Sequence, residues 1–204
     1  MRERTGRLIA VDGVSGSAIL DGARNALRAI ERPLRGGVSR WDASGIFHEL
    51  MLGEAHAGEP SARTLVLLYA ADLAFRLRWE IRPALAQNRT VIAAPYVDTA
   101  VAFGRAAGLA TAWLDAVFQF APRPTTQFIV DAAVARLKSD RQGFAEFGCE
   151  RRAAATGTKR QLILDRVAVH LRAAQKGRRI RALASSRAAQ PSASRLRESS
   201  RTTR

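Results

Sequence analysis

At 204 residues the chain fits one domain with a full core, and an apolar fraction of 47% excludes disorder throughout. Its 33 Lys and Arg against 18 Asp and Glu leave a net charge of +15, carried almost wholly by arginine, which favours polyanions such as nucleotides or nucleic acid. The single cysteine, Cys149, excludes an internal disulfide and a multi-cysteine zinc site. No stretch approaches the roughly 18 apolar residues of a membrane span and no secretory leader is visible, so a cytoplasmic protein without membrane partners is expected.

"RLIAVDGV" (7–14) is a β-branched apolar run ending in glycine, which predicts a buried strand entering a turn. "AILDGARNALRAIE" (18–31) carries Ile19, Leu20, Ala23, Leu27 and Ile30 at helical spacing. Residues 32–45 read as loop, and 45–55 as a short helix. The Ala/Leu-rich segment 62–87 is the strongest helix, with Pro83 near its end.

"RTVIAAPY" (89–96) predicts a second buried strand, followed by two helical segments split at Gly108. "TTQFIVDA" (125–132) predicts a third strand. Residues 141–157 form a glycine- and arginine-containing stretch given no element, and 159–175 a final helix. Strands alternating with helices argue for a three-layer α/β fold with a parallel sheet. From Lys176 onward nine cations face one anion, Glu198, with few large apolar residues, so 1–175 reads as the folded domain and 176–204 as a disordered basic tail.

"VDGVSGSAI" (11–19) has the form of a phosphate-binding loop. Such a loop works because backbone N–H groups at a helix N-terminus wrap phosphate oxygens, while a lysine neutralises them and a Ser or Thr hydroxyl holds Mg²⁺. Gly13, Ser15, Gly16 and Ser17 keep the backbone half. Ala18 and Ile19 stand where the lysine and hydroxyl belong.

"LLYAADLAFRLRWEIRPALAQNRTVIAAPYVDTAVAFGRAAGL" resembles the thymidylate kinase family in order and spacing, and the loop aligns with that family's "FEGIDGSGKST". The resemblance covers roughly residues 7–175. It implies a P-loop nucleoside triphosphate hydrolase-like fold, ATP and dTMP as ligands, Mg²⁺ as cofactor, and an arginine-rich lid. It also implies losses: Ala94 and Pro95 stand at the Asp-Arg of the second strand motif, Leu73 at the arginine of the "AADR" helix, and Phe103-Gly104 at the Tyr-Gln pair facing the nucleobase.

No residue is therefore assigned a catalytic role. Gly13, Ser15, Gly16 and Ser17 are the candidate nucleotide-binding residues, and Arg76, Tyr96 and Asp98 the candidate substrate-binding ones. Arg141 and Arg151 are candidate lid arginines. Asp12 is a candidate for holding a metal-bound water, or equally a cap on backbone N–H groups. The expected function is that of a thymidylate kinase-like nucleotide-binding protein with attenuated or absent turnover. The alternative is a non-catalytic module binding protein or nucleic acid through the basic tail. If two copies pair, the 62–87 helix is a candidate interface, though burial against its own sheet is the commoner fate of such a helix.

Overall fold

The computed structural model describes residues 6–52, 58–130, 142–156 and 159–188. Strands β1 (Leu8–Gly13), β2 (Arg35–Arg40), β3 (Thr90–Ala94) and β4 (Thr126–Val130) form one sheet in the order β2-β3-β1-β4, every pairing parallel. Parallel neighbours need crossovers. Helices α1 (Gly16–Arg28), α2 (Ile46–Leu52), α3 (Ala62–Arg76), α4 (Arg82–Ala86), α5 (Val97–Ala106), α6 (Thr111–Phe118), α7 (Phe144–Thr156) and α8 (Arg160–Ala188) lie along the intervening and following chain. The three-layer α/β architecture expected from the sequence is the one observed.

Alternation along the strands divides the core in two. Leu8 and Ala10 of β1, with Val91 and Ala93 of β3, join the larger cluster; Val11, Ile92 and Ala94 face the other way and meet Ile19 and Ala23 of α1. Both faces being covered, "LIAV" and "TVIAA" read as unbroken apolar runs.

The long helix is continuous but not uniform. A π-helical turn at Leu77–Ile81, closed by Arg82 N–H donating to the Leu77 carbonyl, joins α3 to α4. It rewinds the backbone just ahead of Pro83, whose ring would strain a regular α-helix at that point. Gly108 sits at φ +85° between α5 and α6, a conformation side chains resist, so the predicted split falls there.

Three elements depart from the sequence reading. β2 lies within the stretch read as loop, because "RGGVSR" carries two glycines and only Val38 as an apolar contact to the smaller core. α7 occupies the stretch to which the sequence reading gave no element: residues 143–149 are all buried, so the helix has no exposed face over its first turns to create a period. α8 runs past 175 to Ala188. Alanine and arginine are strong helix formers, and Arg178 on this extension pairs with Asp98 of α5, so few large apolar residues suffice. Residues 189–204 lie outside the described residues. Among the described residues no helix is long and apolar enough to cross a membrane.

Candidate functional site

The chain leaves β1 at Gly13, whose N–H donates to Thr99 Oγ1 at 3.2 Å, and enters α1 at Gly16. Ser15 precedes the helix in extended geometry but caps none of its N–H groups; its Oγ lies 3.0 Å from Ser17 Oγ. The first turn of α1 holds no acidic residue. Ile19, at the expected hydroxyl position, is 2% exposed in the smaller core.

The missing cap comes from 130 residues away. Glu146 Oε2 accepts from Gly16 N–H at 2.8 Å and from Gly143 N–H at 2.9 Å. The second bond is the returning half of a capping box, since Glu146 is the third residue of α7 after Gly143. One carboxylate oxygen thus closes two helix N-termini, where the backbone dipoles favour negative charge. Glu146 is wholly buried and its Oε1 has no hydrogen-bond partner. Burial raises its pKa, while the Gly143 and Gly16 N–H groups and the Arg160 charge oppose the rise.

Asp12, at the end of β1, is wholly buried. Its Oδ1 accepts from Tyr96 N–H at 2.9 Å, Thr99 N–H at 3.0 Å and Thr99 Oγ1 at 2.8 Å; Oδ2 accepts from Gln127 Nε2 at 3.3 Å. Of the two roles left open by the sequence, the geometry is that of a cap, but on the start of α5 rather than on its own loop.

Burial, and next the Asp98 charge, push the Asp12 pKa up to about 6, against hydrogen bonds from Thr99 and Tyr96 that lower it. A carboxyl whose folded pKa is raised binds its proton more tightly folded than unfolded. Its contribution to stability is full below the unfolded value and lost as pH rises through about 6. Asp12→Asn keeps the Oδ1 acceptor and cannot titrate. The unfolding free energy of the wild type relative to Asp12→Asn is expected to fall by up to about 3 kcal/mol between roughly pH 4 and pH 7. Parallel pH profiles in urea titrations would show that Asp12 does not titrate there.

Arg76 is completely buried. Its Nε donates to Ser39 Oγ at 3.0 Å, and one terminal nitrogen to the carbonyls of Ser39 at 3.2 Å and Pro95 at 2.7 Å. The other terminal nitrogen lies 3.6 Å from Asp72 Oδ2 and has no hydrogen-bond partner. Asp72 in turn accepts from Ser44 N–H, Ser44 Oγ and Asp42 N–H, fixing the turn after β2. Tyr96 is also buried; its hydroxyl donates to the Pro122 carbonyl at 2.7 Å and its own carbonyl accepts from the Tyr69 hydroxyl at 2.5 Å. Asp98 is paired with Arg178.

Arg151 lies on α7, 3.5 Å from Glu59 and stacked 5.4 Å over the Phe147 ring. Arg141 lies outside the described residues. The nucleobase-facing pair of the resemblance is turned into the core: Phe103 is fully buried 5.2 Å from the Phe144 ring, and Gly104 lies flush against Leu114. Phe144 also meets Tyr69 at 4.4 Å and Phe47 at 5.6 Å, fastening the start of α7 to α2, α3 and α5.

Beside the loop a cavity of about 30 Å³ is lined by Gly16, Ile19, Trp41, Pro95 and Gly143 among others, room for about one water. These residues suit an anion and not Mg²⁺: the loop offers backbone N–H donors, its hydroxyl position is Ile19, and the candidate Asp12 is enclosed and already accepts four hydrogen bonds. Among the described residues no group of three His, Cys, Asp or Glu is placed to hold a metal ion.

The sequence reading missed Glu146. The signal available was Gly143 followed three residues later by Glu146, a capping spacing obscured by the absence of helical periodicity around it.

No family model matches the chain. It is 27% identical over 142 residues to a probable thymidylate kinase of Pyrobaculum aerophilum, covering 68% of this chain and 72% of that one. It is 32% identical over 127 residues to a thymidylate kinase of Xanthomonas campestris pv. campestris, covering 62% and 56%. Over 68 residues it is 38% identical to a probable thymidylate kinase of Pyrococcus abyssi, of which it spans 33%. Among solved structures, the thymidylate kinase from Ehrlichia chaffeensis superposes with a TM-score of 0.52 at 17% identity, covering 63% of this chain and 78% of that one.

Proposed function

We propose, from the premise that this chain is a thymidylate kinase family member by sequence and fold, that it is a degenerate one, retaining a phosphate seat while phosphoryl transfer is attenuated or lost. The observation that carries this reading is the burial of the residues at the transfer and base-binding positions: Ile19 at 2% and Leu73 and Phe103 at 0% exposure. They build the core and have no polar atom to offer a nucleotide. Transfer depends on charge placed around the moving phosphoryl group, so losing the lysine, hydroxyl and Asp-Arg together removes most of that stabilisation.

In this reading the N–H groups of Gly16 and Ser17 take the phosphate of an ATP- or dTMP-like ligand, with Gly13 and Ser15 shaping the turn. Arg76, Tyr96 and Asp98 hold the floor of the site rather than touch the ligand, and Arg141 and Arg151 belong to the lid. Among the described residues no group of three His, Cys, Asp or Glu is placed to hold Mg²⁺. Titration calorimetry of ADP, ATP and dTMP with and without Mg²⁺ tests this. The expected result is weak binding of the phosphate-bearing ligands, insensitive to Mg²⁺ and preserved when residues 189–204 are removed. Tight Mg²⁺-dependent ATP binding would contradict it.

The net charge of +15 supports a second reading, loose binding of nucleic acid through the basic C-terminal region. There log affinity would fall linearly with log salt concentration and be abolished by deleting residues 176–204. For assembly, the exposed side chains Leu67, Phe75 and Trp79 along the long helix support pairing of two copies.

A further inference from the structure

We propose that Glu146 is a built-in phosphate surrogate, and that the first turn of α7 is a cover latched shut by its carboxylate. A phosphoryl group and Glu146 then compete for one seat. The inference rests on the reading of the α1 N-terminus as a phosphate seat, and adds the group that controls access to it.

Three independent features place the carboxylate there. First, the Glu146–Gly143 contact alone would satisfy α7, yet the same oxygen reaches Gly16 N–H at 2.8 Å on another helix, the N–H that a phosphate oxygen would take. Second, the backbone before α7 lies directly on the loop: a Cβ on Gly143 would sit 2.8 Å from Gly16 Cα and 3.0 Å from Gly16 N. Only glycine permits that approach, and Trp41 Nε1 holds the preceding Gln142 carbonyl at 3.1 Å. Third, Oε1 is buried without a partner. Ordinary capping leaves a carboxylate in water; this one is enclosed with half its accepting capacity unused, a cost that a stronger occupant would remove.

The consequence follows from charge. A di- or trianionic phosphate cannot share the Gly16 N–H with an ionised carboxylate, because the two like charges repel at one donor. Binding therefore requires Glu146 to withdraw and residues 142–143 to lift from Gly16. The ligand class is a terminal phosphate or pyrophosphate group, whatever is attached beyond it.

The test uses the full chain, Glu146→Gln, Glu146→Ala and Gly143→Ala, with inorganic pyrophosphate as probe and amide hydrogen exchange of Gly16 as a ligand-free readout of the latch. Glu146→Gln keeps shape and hydrogen-bonding capacity, so it reports the charge even if Glu146→Ala is too unstable to study. Expected results are pyrophosphate binding at least ~10-fold tighter in Glu146→Gln than in wild type, and faster Gly16 exchange in Glu146→Ala and Gly143→Ala. Equal pyrophosphate affinity in wild type and Glu146→Gln overturns the competition while leaving the phosphate seat intact. Unchanged Gly16 exchange in both alanine variants overturns the latch. Absence of pyrophosphate binding in every form overturns the seat itself, and the competition with it.

Discussion

Arg76→Ala is expected to cost about 4 kcal/mol of unfolding free energy. The guanidinium is at 0% exposure and joins three parts of the chain: Ser39 at the end of β2, the Pro95 carbonyl beyond β3, and Asp72 one turn back on α3. Removing it leaves Asp72 as a buried charge without its cation, and takes a donor from the Ser39 and Pro95 carbonyls. Asp72→Asn should cost less, about 2 kcal/mol, because an amide still accepts from Ser44 and the cation keeps its other partners. Replacing both together should fall short of the sum, since each single change already breaks the pair. Urea unfolding of the two single variants and the double variant measures this directly. A cost under about 1 kcal/mol for Arg76→Ala would mean that the guanidinium is solvated and free to serve a ligand instead.

Restoring the loop chemistry by Ala18→Lys with Ile19→Ser is expected to lower stability by about 3 kcal/mol and to leave dTMP phosphorylation at background. The stability loss comes from Ile19, which fills the smaller core between α1 and the sheet beside Val11, Ile92 and Ala94; a serine there creates a cavity and buries a hydroxyl. Turnover stays absent because Ala94 and Pro95 still stand in place of the Asp-Arg pair and Glu146 still occupies the Gly16 N–H. Each missing electrostatic contact is worth roughly 3 kcal/mol of barrier, a factor of a hundred or more in rate. On the proposed reading the loss is spread over several elements. A rate recovered by the two loop changes alone would instead place the whole defect in residues 18 and 19.

The sheet was legible wherever the strands are buried on both faces, because β1 and β3 have to be apolar at consecutive positions. β2 was not, since at the sheet edge its two glycines and two arginines satisfy backbone pairing with Val38 as the sole apolar side chain of the strand. The helix facing solvent on one side, α1, showed its period; α7, enclosed from Phe144 to Cys149, had none to show. For α8 the composition was legible but its consequence was not, because the ion pair between Arg178 and Asp98 spans 80 residues. The same limit applies to the site. The absent lysine and hydroxyl can be read from Ala18 and Ile19, being local in the chain. That a glutamate 130 residues away accepts from Gly16 N–H depends on how α7 lies across the loop, which no local pattern encodes.

The most direct test of the central claim, a thymidylate kinase fold in which phosphoryl transfer is attenuated or lost, is ADP formation from Mg-ATP by the full chain with and without dTMP. A Gly16→Asp variant, which places a second carboxylate in the loop, serves as the control for contaminating kinases. The account predicts the same residual rate with and without dTMP, and the same rate in wild type and control. ADP formation that rises with dTMP in the wild type and disappears in Gly16→Asp would contradict it, and would mean that Arg76 or the lid arginines supply the charge the loop has lost.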